Sequence, residues 1–99
     1  MGWTQDSFST KVDGHDVVVE ARSGPISARF ALKVDGEVQD MIKALHGKHF
    51  LEGEVPGENG SPGKPFRIRV VLKAGGMAGE EYYLEIDGEE RKLGEGFII

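Results

Sequence analysis

The sequence predicts an all-β protein, an antiparallel β-sandwich or barrel-like fold of seven to nine short strands joined by Asp-Gly hairpins. Three observations carry that prediction. Asp-Gly occurs three times, each time after a β-branched residue that closes a strand-like run: Val12-Asp13-Gly14, Val34-Asp35-Gly36 and Ile86-Asp87-Gly88. Both residues tolerate the positive φ that a two-residue type I′ turn demands, so each site reads as a tight hairpin. Two of the turns sit inside a longer match, Phe30 to Glu37 and Tyr82 to Glu89, with the shared pattern aromatic-x-Leu-charged-aliphatic-Asp-Gly-Glu. Finally, 15 glycines in 99 residues, about twice the usual share of roughly 7%, indicate many turns rather than disorder in a chain without low-complexity repeats.

The elements follow in order. Ser7 to Val12 alternates into the first turn, and His15 to Arg22 returns with Val17, Val19 and Ala21 on one side. Ser23-Gly24-Pro25 breaks the chain, because proline cannot donate to a ladder. Ile26 to Val34 is the clearest half-buried strand, with Phe30, Leu32 and Val34 on one face and Arg29, Ala31 and Lys33 on the other. Glu37 to Ile42 pairs back, and Phe50 to Val55 continues beyond the Leu45-His46-Gly47-Lys48 connection. Met41 to His49 is the only helical candidate, but glycines bracket it too closely for a helix of ordinary length, so it reads as irregular or strand. Residues 56–65 contain three prolines and three glycines and form a long mobile surface loop. Phe66 to Leu72 resumes alternation with Phe66, Ile68, Val70 and Leu72 facing in. Residues 74–79 make a second flexible connection. Glu81 to Ile86 places Tyr82, Leu84 and Ile86 inside, Glu89 to Leu93 returns, and Phe97-Ile98-Ile99 supplies a last strand.

Composition narrows the function classes. Residues 1–99 make a single β-sandwich domain, large enough to bury roughly 60–65% of its unfolded surface unaided. The absence of cysteine excludes disulfide scaffolds, thiolate metal sites and cysteine nucleophiles. Met1 to Asp6 lacks a basic stretch and an apolar core, and no window approaches a membrane span, so a cytoplasmic protein with no membrane partner is expected. Seventeen acidic against twelve basic residues give a formal charge of −5. That charge repels phosphate backbones, so no nucleic-acid partner is expected.

No constellation converges on catalysis. His46 and His49 are three apart without a third fixed ligand, and in a strand or turn that spacing points them to different faces. No Gly-x-Ser-x-Gly elbow exists. Gly57 to Pro65 superficially resembles a phosphate-binding loop, but its first glycine is one residue too far from Gly63-Lys64, and Pro65 stands where a hydroxyl must reach magnesium. Asp13, Asp35 and Asp87 have a sufficient structural reason in their turns. No cofactor or metal is expected, and an enzyme is not.

With strands and turns placed, the chain resembles the N-terminal domain of the Fas apoptotic inhibitory molecule family. The matching features are an early tryptophan (Trp3), the stretch Asp13 to Glu20, a short Ser-Gly break, Phe30 to Glu37 with its Val-Asp-Gly, and Tyr82 to Gly88, in order over about residues 3–93. The resemblance implies a compact antiparallel β-sandwich of non-enzymatic type. It implies an interaction module, used in animals in apoptosis regulation and linked to protection against protein aggregation. Animal members carry two related domains where this chain has one, and the loop at 56–65 is this chain's own. The family carries no catalytic residues onto this sequence.

The expected function is therefore a non-enzymatic interaction or protein-protective module that meets a protein partner, as a monomer or weak homodimer. The alternative is a small-ligand carrier holding an apolar or anionic molecule inside a closed β-barrel. The expected contact surface is one exposed sheet face carrying Lys33, Arg67, Arg69, Tyr83 and Glu85, because arginine and tyrosine are enriched at interface hot spots. The competing expectations are that Glu85 pairs with Arg67 or Arg69 only for solubility, or that the 56–65 loop is the site.

Overall fold

The computed structural model describes residues 5–23, 27–44, 47–72 and 79–97. Alternating apolar and polar positions form eight strands, β1 (Gln5–Val12), β2 (His15–Ser23), β3 (Ala28–Val34), β4 (Glu37–Ala44), β5 (Gly47–Val55), β6 (Lys64–Leu72), β7 (Gly79–Ile86) and β8 (Glu89–Phe97). They make two four-stranded antiparallel meanders, β1-β2-β3-β4 and β5-β6-β7-β8, packed together without closing into a barrel. The repeated Phe30–Glu37 and Tyr82–Glu89 octapeptides are thus equivalent hairpins, the last in each sheet.

The three Asp-Gly turns have the expected backbone: Asp13, Asp35 and Asp87 have φ of 49°, 50° and 52°, each followed by a glycine at 74° to 86°. A fourth turn of the same kind lies in the 56–65 segment. Asn59 at 51° and Gly60 at 80° form the tip of the β5–β6 hairpin, closed by the Ser61 amide donating to the Glu58 carbonyl at 2.9 Å. The surface loop expected there spans 56–63, with this turn at its tip, and Lys64 and Pro65 belong to β6. Strict up-and-down order brings all four Asx-Gly turns to one end of the sandwich.

Other boundaries shift modestly. The described part of Met41 to His49 is strand, in keeping with the reading as irregular or strand: Met41–Ala44 ends β4 and Gly47–His49 begins β5. Phe97 closes β8 rather than starting a separate strand. Trp3, Gly24, Pro25, His46, residues 74–78, Ile98 and Ile99 lie outside the described residues.

The core is what the alternation requires. Val17, Val19, Phe30, Leu32 and Val34 of the first sheet face Leu51, Phe66, Ile68, Val70, Tyr82 and Leu84 of the second, all buried, while Ile86 at the sandwich end is half-buried. Tyr82 joins the layers: its ring centroid lies 4.6 Å from Phe8 and 6.2 Å from Phe30, and both partners come from the other sheet.

The seam between β4 and β5 is built from side chains. The β3–β4 ladder shifts register between Leu32 and Lys33, so Gln39 is the extra residue of a β-bulge. Its carboxamide reproduces a strand pairing: Gln39 Nε2 donates to the Glu54 carbonyl at 3.0 Å, and the Glu54 amide donates to Gln39 Oε1 at 2.7 Å. Asp40 adds a third bond, accepting from the Glu52 amide at 2.9 Å. Gly53 makes room between those residues. A Cβ there would lie 2.8 Å from Leu32 Cδ2 and 2.9 Å from both Gln39 Oε1 and Phe66 Cζ.

Gly53→Ala is expected to lower the free energy of unfolding by about 1–3 kcal/mol through overpacking, read from the urea midpoint, together with faster hydrogen exchange at the Glu54 amide. Leu32→Ala or Leu84→Ala should cost about 2–5 kcal/mol by the same measurement. A loss below about 1 kcal/mol at either leucine would contradict the strand registers.

Candidate functional site

On the outer face of the second sheet, the register sets Arg67 opposite Glu85 and Arg69 opposite Tyr83. Antiparallel neighbours directly opposite have Cβ atoms roughly 5 Å apart, close enough for long side chains to interlock. Glu85 Oε1 accepts from Arg67 Nε at 3.0 Å and Nη2 at 2.9 Å, and Glu85 Oε2 lies 3.3 Å from Arg69 Nε. Arg69 Nη2 reaches Glu90 Oε2 at 2.6 Å. Glu85 and Glu90 are themselves directly opposite, so Arg69 neutralises a pair of like charges that would otherwise repel. Both guanidinium groups lie over aromatic rings, Arg67 at 4.3 Å from the Phe50 centroid and Arg69 at 4.4 Å from that of Tyr83. Each ion pair at this exposure contributes only about 0–1 kcal/mol and each stacked cation about 0.5–1 kcal/mol. What the lattice achieves is position: two arginine planes held from both sides.

Four of the five expected surface residues are thus brought together, with Glu85 pairing to both arginines. Lys33 is not among them. It projects from β3, in the other sheet, where its Nζ lies 2.9 Å from Glu20 Oε1. Strand parity marks a residue as outward-facing, but a sandwich has two outer faces and parity does not choose between them. Phe50 and Glu90 complete the lattice and were missed. Their signal lay in alternation on β5 and β8, the two neighbours that only the sheet order identifies.

Below the lattice, toward the turns, a groove of about 490 Å³ is lined by Glu52, Phe66, Arg67, Glu85, Asp87 and Glu90. The turn aspartates themselves do more than turn the chain. Asp35 Oδ2 lies 2.7 Å from His15 Nδ1, and Oδ1 accepts from the Asp16 amide at 3.0 Å, latching the two turns of the first sheet. Lys64 ties the sheets together, 2.7 Å from Asp87 and 3.6 Å from Asp13. These contacts hold the Asp35 carboxyl below its ordinary range, chiefly through His15 and then the Asp16 amide. They raise the Lys64 ammonium, chiefly through Asp87 and then the charge of Asp13.

Among the described residues no three His, Cys, Asp or Glu side chains are placed to share a metal ion. Nor, among the described residues, is any helix long and apolar enough to cross a membrane. Comparison with family models, with curated proteins and with solved structures found no match.

The lowered Asp35 carboxyl stabilises the fold above the unfolded-state value of about 3.9, and that contribution is lost as pH falls through the folded-state value. Asp35→Asn should therefore melt below the parent protein at pH 7, by a gap that narrows as pH falls below the unfolded-state value. Lys64 acts in the opposite direction. Its raised ammonium stabilises below about pH 10.4 and loses that effect as pH rises through the folded-state value, so the melting gap of Lys64→Met should close in strong alkali. A gap of constant size across pH, in differential scanning fluorimetry, would contradict either assignment.

Proposed function

We propose that the protein is a non-catalytic interaction or protein-protective module of the cytoplasm, comparable in role to the Fas apoptotic inhibitory molecule domain it resembles. Its contact surface is the outer face of β5–β8. The observation that carries this reading is the Phe50-Arg67-Glu85-Arg69-Tyr83-Glu90 lattice, in which side chains of the hot-spot type are already fixed before a partner arrives. Association normally costs about 0.5–1.5 kcal/mol for each long side chain immobilised, and stacking on both arginines has lowered that cost in advance.

The interior supports the same reading. Apolar side chains from both sheets fill it, and the sheets do not close into a barrel. A carrier with its ligand inside a closed barrel therefore has less support than a protein that works through its surface.

The test is affinity capture from a cell extract, with the captured protein identified by mass spectrometry and then purified. Arg67→Ala, Arg69→Ala and Tyr83→Ala combined should weaken its binding at least tenfold while the melting temperature stays within a few degrees. The same triple variant should lose any ability of the parent to suppress heat-induced aggregation of a client enzyme. Undiminished binding by that variant, with loss on shortening residues 57–63, would move the site to the β5–β6 hairpin tip.

A further inference from the structure

The outer face of the first sheet carries a charge pattern that the fold does not need. Five cations project from it, Lys11, Arg22, Arg29, Lys33 and Lys43, against two carboxylates, Asp16 and Glu20, although the whole chain has a net charge of −5. The two carboxylates are already engaged: Lys11 Nζ lies 2.6 Å from Asp16, and Lys33 is paired to Glu20. That leaves Arg22, Arg29 and Lys43, all exposed, with no carboxylate partner among the described residues.

Those three are not scattered. Arg22 is directly opposite Arg29 across β2 and β3, and Arg29 is directly opposite Lys43 across β3 and β4. Like charges in directly opposed positions destabilise a sheet, and here three stand in one row spanning three strands. Two residues along the strands lies an apolar ledge. Ala31 is opposite Met41, and beyond them Lys33 is opposite Val38. Met41 and Val38 are 63% and 52% exposed, the large hydrophobic side chains that this surface leaves to solvent. The small Ala31 sets the floor of a depression of about 220 Å³, walled by Glu20, Arg22, Arg29, Lys33, Val38 and Met41.

We infer that this face binds an extended acidic segment of another polypeptide, with an apolar side chain on the Ala31–Met41 ledge and carboxylates on the Arg22-Arg29-Lys43 row. Spacing favours such a segment. An extended chain lying along the strands presents alternate side chains about 6.6–6.8 Å apart, the same repeat that separates the ledge from the cation row. An apolar-x-acidic sequence thus meets both. A free inorganic anion would use the cations and leave Met41 and Val38 in water, and the depression is smaller than ordinary small-molecule pockets of about 300–1,000 Å³. An anionic membrane would meet a molecule of net negative charge on a flat face of limited width. A second copy docked about a two-fold axis would set one cation row near the other. This inference stands apart from the reading of the β5–β8 face, which uses the opposite side of the sandwich.

The test uses a fluorescein-labelled peptide, Ser-Leu-Ser-Leu-Asp-Glu-Asp-Glu, in fluorescence anisotropy. The parent protein should bind it, with affinity falling at least fivefold between 50 and 300 mM NaCl, both being set concentrations at roughly 14 and 6 Å screening lengths. Arg22→Glu with Arg29→Glu should reduce binding at least tenfold, and Met41→Gln severalfold. Lys48→Glu, an exposed position of the other sheet, should leave binding unchanged although it alters the net charge as Arg29→Glu does. Arg29→Glu alone replaces two like-charge pairs by two attractive ones, so its melting temperature should rise by a few degrees while binding is lost. Equal weakening by Lys48→Glu, or undiminished binding by the double variant, would overturn the site. Displacement of the peptide by submillimolar inorganic phosphate would reassign it to small anions. Co-sedimentation with phosphatidylserine vesicles but no peptide binding would reassign it to membranes, and a dimer abolished by Arg29→Glu would reassign it to self-association.

Discussion

Everything in this fold depends on two-residue turns that leave no slack. At Asp13-Gly14, Asp35-Gly36 and Asp87-Gly88 both central residues occupy positive φ, and the flanking residues pair at once: Val12 with His15, Val34 with Glu37, Ile86 with Glu89. Because side chains alternate with a period of two, such a turn dictates which residues face the other sheet. A slip of one position on β3, β6 or β7 would bury Lys33, Arg67 or Glu85 in place of Leu32, Ile68 or Leu84. The desolvation of those charges makes the alternative register untenable. The same turns place three aspartates at one end, where Asp13 and Asp87 share Lys64 and Asp35 engages His15.

Two open sheets have four edges, and an exposed edge invites pairing with other chains. Here the edges meet each other, β4 beside β5 and β1 beside β8. The β4–β5 side is closed by chemistry that imitates a ladder. A bulge rotates Gln39 and Asp40 toward β5, and their side chains take the Glu52 and Glu54 backbone groups that a fifth strand would have taken. Gly53 is the steric condition for that approach. Across the β1–β8 side, Arg91 Nη2 donates to Thr10 Oγ1 at 2.7 Å. Side chains thus satisfy the Glu52 and Glu54 backbone groups on the β4–β5 side and bridge the β1–β8 side, without the strand pairing that would close the two sheets into a barrel.

The two outer faces handle charge differently. On β5–β8 every cation in the lattice has a carboxylate or an aromatic ring, and Arg69 neutralises the opposed Glu85 and Glu90. On β1–β4 the carboxylates are used up at Asp16 and Glu20, and a row of three cations remains beside exposed Met41 and Val38. A chain selected only for solubility would gain from an acid in place of Arg29, since opposite charges across strands contribute where like charges cost. The asymmetry belongs to the faces and is invisible in the total charge.

By itself the sequence determined what is local. The three Asp-Gly turns, the inward parity of Phe30, Leu32, Val34, Phe66, Ile68, Val70 and Leu84, and the kinship of the two octapeptides follow from φ preference and period-two patterning, which act over a few residues. The Asn59-Gly60 turn was equally legible in kind, but the surrounding prolines and glycines hid it. Tertiary structure decided what depends on partners distant in the chain. Parity named Lys33, Arg67 and Arg69 as outward alike, and only the sheet order separated Lys33 onto the opposite face. Gln39 and Asp40 look like ordinary polar strand residues until the bulge aims them at β5. The row of Arg22, Arg29 and Lys43 comes from three strands, and its charges add up only where the ladder sets them side by side. Coulomb interactions and packing depend on separation in space, and the chain distance between those residues carries no record of it.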